Sequence, residues 1–308
     1  MSASQVQITS PTEILDPLAQ KPEPPDRLFY ATGILLDAED FKAEQLYHRG
    51  RLSRALAYLH GGGTVAGLRV EWVKQLEPGE DAKFPRGRAE EIVVAPGIAV
   101  DRLGRVIEVP ASACIRLARW YEQQPAAELF KAFHPAKQGD PANVVVVDVF
   151  IRFYSCERGK TPAFATGPFD ALDAVQPSRM REFYKLELVA REHDDPDLLK
   201  SRLPDLSAIA DENERRNRLH EGVLDSWREG TEEAHGQWKK NGGLGPLPEH
   251  EANQDPTSLF LARLKISADP PAEAEGKPIR KSKVDVSVDN LSRRFVYTGA
   301  WLARWLGI

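Results

Sequence analysis

Three consecutive glycines, Gly61, Gly62 and Gly63, stand where the apolar spacing of the chain changes. Upstream, Phe41, Tyr47, Leu52, Leu56 and Leu59 recur at roughly helical intervals, with Lys42, Glu44, Arg49, Arg51 and Arg54 supplying a wet side. Asp37 stands where an N-cap belongs, and Glu39 and Asp40 fall in the first turn, so the pattern predicts a helix over 38–59. Gly50 is a local weakness in it, because a mid-helix glycine costs about 1 kcal/mol relative to alanine. Downstream, "TVAGLRVEWV" places Val65, Leu68, Val70 and Trp72 at an imperfect two-residue spacing. Glycine enters left-handed backbone without steric penalty, so the run predicts the corner at which a helix ends and a sheet begins.

The strand signal then dominates. In "EEIVVAPGIAVDRLGRVIEVP", Pro96 and Gly97 mark a bend, Ile98 and Val100 lead into the turn Asp101-Arg102-Leu103-Gly104, and Val106, Ile107 and Val109 lead out. "NVVVVDVFIRFYSC" is a β-branched run of the kind buried on both faces, and "MREFYKLELVARE" and "SLFLARLKIS" read as two further strands of the same sheet. The predicted fold class is α+β, mainly β, with the N-terminal helix feeding an antiparallel sheet.

At 308 residues the chain holds one large domain or two ordinary ones. The expected organisation is a proline-rich extended arm over 1–26, a helix-and-sheet core over 27–193, and a helical insertion over 194–256. Core strands then return over 257–308 with a short aromatic helix at the end. The insertion is charged and poor in β-branched residues, and Leu198, Leu203, Leu206, Leu219, Val223 and Trp227 space as short helices. Residues 267–283 read as a polar loop.

With 46 acidic against 41 basic residues and a net charge of −5, no bulk field draws the protein to nucleic acid. Two cysteines, Cys114 and Cys156, cannot build a disulfide framework, and their apolar settings predict buried free thiols. No stretch reaches the roughly 20 apolar residues of a membrane span, so a cytoplasmic protein is expected.

Each candidate for chemistry has a plainer reading beside it. His60-Gly61-Gly62-Gly63 resembles the glycine loop of an oxyanion hole, but no serine stands in a G-x-S-x-G frame, and a helix terminator is the stronger reading. Gly159-Lys160-Thr161 ends like a phosphate-binding loop, yet the frame finds Tyr154 where glycine is required, which leaves a polar loop after a strand. His193, Asp194 and Asp195 are metal-ligand types without a second cluster. Tyr47, His48 and Arg49 form a polar group on the helix. "DENERRNRLHEG" reads as a solvated helix face with pairs Asp211 to Arg215 and Glu212 to Arg216. Near the end, Tyr297, Trp301 and Trp305 fall four apart with Leu302 and Leu306 alongside. This stripe either packs on the chain's own sheet or docks into another subunit.

Residues 36–41, "LDAEDF", 47–49, "YHR", 65–70, "VAGLRV", and 96–105, "PGIAVDRLGR", with a weaker echo at 261–264, "LARL", resemble a family of structural proteins encoded with phage-tail-like contractile injection systems. The resemblance brings no catalytic residue, cofactor or metal. It implies that Gly61, Gly62, Gly63, Pro96, Gly97, Asp101 and Gly104 determine the fold, and that the partners are other subunits of a symmetric, releasable particle in which this chain is a homo-oligomer. The expected function is therefore structural, in the baseplate, spike-surrounding or fibre-attachment region, through the candidate interface residues Tyr297, Trp301, Leu302, Trp305 and Leu306. Two alternatives stay open: a carbohydrate- or surface-binding fibre module using Trp72, Trp120 and Trp238, and a hydrolase using the 60–63 loop.

Overall fold

The computed structural model describes residues 26–136, 142–162, 175–193, 206, 208–225, 246–251, 254–273, 275–282 and 284–307. The fold is α+β and mainly β, built from antiparallel sheets with a helix at the N-terminal side. Helix α1 spans Ala38–Leu59, as its cap predicts: Asp37 Oδ1 accepts from Glu39 N at 2.8 Å and Asp40 N at 3.1 Å, while Asp37 N donates to Asp40 Oδ2 at 2.9 Å.

The chain after α1 divides between two small sheets. Strand β1 (Gly63–Gly67) lies in the order β1-β4-β5 with β4 (Gly97–Val100) and β5 (Val106–Val109), whereas β2 (Val70–Val73) lies in the order β2-β3-β6 with β3 (Glu91–Val94) and β6 (Ala113–Arg116). The break falls at Gly67 and Leu68, both with positive φ, and Leu68 N donates to Pro96 O at 3.2 Å. One corner of the chain thus sits on the other, and Gly97 is the residue that lets them touch, since a Cβ there would lie 2.4 Å from both Ala66 O and Leu68 N.

Two short helices, α2 (Leu117–Gln123) and α3 (Ala126–Lys131), lead to the large sheet. Its centre is β8 (Val144–Pro162), flanked by β10 (Leu259–Asp269) on one side and by β7 (Phe133–His134) and β9 (Val175–Ala190) on the other. Strands β11 (Ile279–Arg280) and β12 (Ser287–Asp289) pair with β10, so part of the segment read as a polar loop over 267–283 is strand. The three long runs share one sheet, as expected from their β-branched content.

Odd positions of β8, Val145, Val147, Val149, Ile151 and Phe153, enter a core that also takes Leu68, Ile92, Ile107 and Leu117 from the small sheets and α2. The even positions face the other way, where Phe150 meets Phe260 and Arg191, held by the returning residues 248–251, covers Asp148. Within the insertion, helix α4 spans Glu212–Asp225, and Leu247, Glu249 and His250 are buried; Leu198, Leu203 and Trp227 lie outside the described residues. Helix α5 spans Gly299–Leu306.

Three expectations are corrected here. Cys114 is exposed and Cys156 half-buried, because β6 is an edge strand that turns Cys114 outward while Ile115 faces in. Gly159-Lys160-Thr161 is no loop: it lies inside β8, which β9 extends in unbroken register to Pro162 opposite Val175. On α1, Phe41, Leu52 and Leu59 are exposed, and the helix buries only Ser53, whose carbonyl meets Gly104 so closely that a Cβ there would stand 1.8 Å away.

Candidate interaction surface

The glycine corner carries the surface that distinguishes this protein. Gly61 closes α1: its φ is +73°, and its N–H donates to Ala57 O at 3.1 Å. A Cβ on Gly62 would lie 3.3 Å from Arg102 N. Thr64 then bridges to Phe295 in parallel, with Thr64 N to Arg294 O and Val296 N to Thr64 O both at 2.9 Å. The amide of Gly61 is thereby spent on ending the helix, and the far side of the corner is occupied by the chain's own C-terminal segment.

That segment is bolted down by side chains that pattern reading missed. Asn290 imitates a strand, accepting from Val70 N at 2.8 Å through Oδ1 and donating to Val70 O at 2.9 Å through Nδ2. Arg293, almost fully buried, donates to Leu68 O at 2.7 Å, and desolvation draws its guanidinium down to about 10. Arg294 Nε lies 3.1 Å from Glu249 Oε1, which ties the tail to the return of the insertion.

Glu249 belongs to a larger buried network. Asp148, fully buried, accepts from Arg263 Nε at 2.8 Å through Oδ1 and from Nη2 at 3.0 Å through Oδ2, a bidentate pair, and Arg191 Nε lies 3.3 Å from the same Oδ2. Arg191 also donates to Glu249 O at 3.0 Å and lies 3.0 Å from Glu251 Oε1. In the same layer His250 accepts from Leu247 N at 2.9 Å through Nδ1 and meets Ser258 O at 2.8 Å through Nε2, which fixes a neutral Nε2–H ring. Burial lowers the pKa of His250 against the raising effect of the Ser258 carbonyl. The network clamps residues 246–251 and 254–258 onto the sheet and, through Glu249, holds the base of the tail.

Beyond this base the chain presents apolar side chains to solvent. Helix α5 is capped by Thr298, whose Oγ1 accepts from Trp301 N at 3.4 Å, and ends at Gly307 with φ +75°. It has no buried residue: Trp305 is 78% and Leu306 75% exposed, with Tyr297, Trp301 and Leu302 also open. The reading in which this stripe packs on its own sheet is therefore incorrect. Within the stripe the Tyr297 and Trp305 rings stand 6.3 Å apart. Leu35, 95% exposed, and Phe29 and Phe41 also stand open, at the start of the α1 segment, and Leu59 at its end beside the glycine corner. Isolated exposed apolar residues are ordinary, whereas an aromatic helix with no buried residue marks an interaction site.

The remaining sequence candidates do not converge. His60 and His193 are exposed, at separate places, and Asp194, Asp195 and Trp238 lie outside the described residues. His48 Nε2 is 2.9 Å from Glu44 Oε1 on the exposed helix face, with Tyr47 packed edge-on at 5.4 Å. Trp72 is a lid on the core whose indole N–H donates to Glu90 Oε1 at 2.6 Å, while Trp120 lines a separate open hollow of about 220 Å³ with Ile115, Arg116, Arg119 and Gln123. On α4, Arg216 and Glu212 pair at 3.5 Å as expected, but Asp211 instead caps Glu214 N at 2.8 Å and Arg215 donates to Ile209 O at 2.7 Å. No helix among the described residues is long and apolar enough to cross a membrane. No protein-family model matches the chain, and no curated protein matches it.

Proposed function

We propose that this protein is a structural subunit of a phage-tail-like contractile injection particle, acting through contacts rather than chemistry in the baseplate, spike-surrounding or fibre-attachment region. The observation that carries the reading is the aromatic helix α5, with no buried residue yet rooted at Thr64, Leu68 and Glu249 by defined hydrogen bonds and an ion pair. Tryptophan and tyrosine concentrate interface energy, and a helix presented on a fixed base loses little freedom on docking. The motifs at residues 36–41, 47–49, 65–70 and 96–105 support the same reading, since they resemble those of structural proteins of such systems. In this role the chain forms symmetric contacts with copies of itself or with neighbouring subunits.

The test is purification of the tagged protein from its own cells, followed by mass spectrometry and electron microscopy. Tube and sheath proteins in a symmetric particle are the expected companions; a free monomer without them contradicts the proposal. A second reading, a carbohydrate- or surface-binding module, has the hollow beside Trp120 in its favour. Glycan binding lost on Trp120→Ala is what it requires. The hydrolase reading requires turnover that depends on His60, although the amide of Gly61 is already engaged by Ala57.

A further inference from the structure

The outer half of the β8–β9 ribbon has its charges sorted by face. Strand β10 stops pairing with β8 at Ile151, whereas β9 continues to Pro162, so beyond Ile151 the described part of β8 has a partner on one side only. Residues directly opposite each other in an antiparallel pair share a face, as do alternate residues along a strand. One face of the ribbon therefore carries Arg158 opposite Arg179, Arg181 opposite Cys156, and Lys160 opposite Pro177. Its reverse carries Glu157, Met180, Ser155 and Glu182, and there Glu182 Oε1 lies 3.3 Å from Arg49 Nη2 of α1.

All four cations are exposed and make no ion pair with another described residue, whereas Arg152 and Lys185, nearer the core, both reach Glu187 at 3.4 and 2.7 Å. Placing Arg158 directly across from Arg179 works against the ribbon, because like charges opposite one another destabilise a strand pair. In a chain of net charge −5, four unpaired cations gathered on one face of a projecting ribbon are a feature the fold does not need.

We infer that this ribbon is a docking strand for an acidic, extended segment of a partner protein, which adds beside β8 along its exposed residues 157–161 and sets alternate carboxylates over Arg158, Lys160, Arg179 and Arg181. The free edge of β8 offers backbone donors and acceptors to such a segment, and charge every second residue matches the strand period. The outer edge of β9 is the poorer choice, since Pro177 lacks an N–H. A nucleic-acid duplex fits less well: four cations are a short footprint, and Glu157 and Glu182 on the reverse face oppose wrapping. The inference is independent of the particle reading.

The experiment is fluorescence anisotropy of the full chain with a labelled peptide of alternating glutamate and threonine. Saturable binding that weakens with salt is expected, together with a loss of about tenfold or more in the Arg158→Ser, Arg179→Ser, Arg181→Ser triple variant. The corresponding lysine variant keeps the affinity within a few-fold, and the serine variant unfolds no earlier than the parent, since it removes repulsion. A peptide with proline replacing every threonine keeps the carboxylates but cannot pair with the strand edge, and binds about tenfold more weakly or worse. Absent binding, equal binding by the proline peptide, an unaffected serine variant, or preference for a DNA duplex or a phosphatidylserine vesicle would each overturn the inference.

Discussion

Gly63 and Arg294 approach each other so closely that a Cβ on Gly63 would stand 2.7 Å from the Arg294 carbonyl oxygen. The glycine run thus serves two purposes at adjacent positions: Gly61 supplies a left-handed residue to stop a helix, and Gly63 supplies the missing side chain that lets the tail lie against β1.

The two replacements differ in size and in kind. Gly61→Ala meets nothing within 4 Å and suffers only from its positive φ, so it costs about 1–2 kcal/mol in thermal or denaturant unfolding. Gly63→Ala must move backbone, costs about 3 kcal/mol, and separates Thr64 from Arg294 and Val296. Limited proteolysis then cuts Gly63→Ala, and not Gly61→Ala, faster after residue 294.

Asp148→Asn leaves the buried Arg263 and Arg191 facing a neutral group. Destabilisation of about 3–5 kcal/mol is expected in denaturant titration. The exposed pair of Lys42 with Glu39 is the contrast, and Lys42→Ala changes stability by less than about 1 kcal/mol.

His250 gives stability a pH dependence. Its pKa is lower folded than unfolded, so the unfolded chain binds the proton more readily; stability is complete above the unfolded value near 6.5 and declines as pH falls through the folded value. Melting temperatures measured from pH 7 to pH 5 should fall less steeply in His250→Gln, which retains an amide able to donate to Ser258 O. Identical slopes would remove His250 from the account.

Local chemistry was readable in the sequence and partnership was not. Asp37 and the first-turn acids announced α1, and the valine run announced β8, because a cap and a two-faced buried strand each leave their mark within a few residues. The division of β3 and β4 between two sheets turns on the hydrogen bond from Leu68 to Pro96, between residues that no periodicity connects. Gly159-Lys160-Thr161 read as a loop because its strand character comes from β9 across the pair, and local composition says nothing of that partner. The aromatic spacing of the tail was evident, but the same spacing serves a packed or a presented helix. Asn290, Arg293 and Arg294, which decide that question, looked like ordinary surface residues.

The claim at the centre of this account is that a fixed base presents α5 for contact. Particle assembly in cells carrying Trp301→Ser together with Trp305→Ser, compared with the melting temperature of the purified variant, tests it most directly. Because neither side chain is buried in the chain alone, the predicted result is an unchanged melting temperature with the protein lost from the particle fraction. Retention of the variant in particles at the parent level would contradict the account.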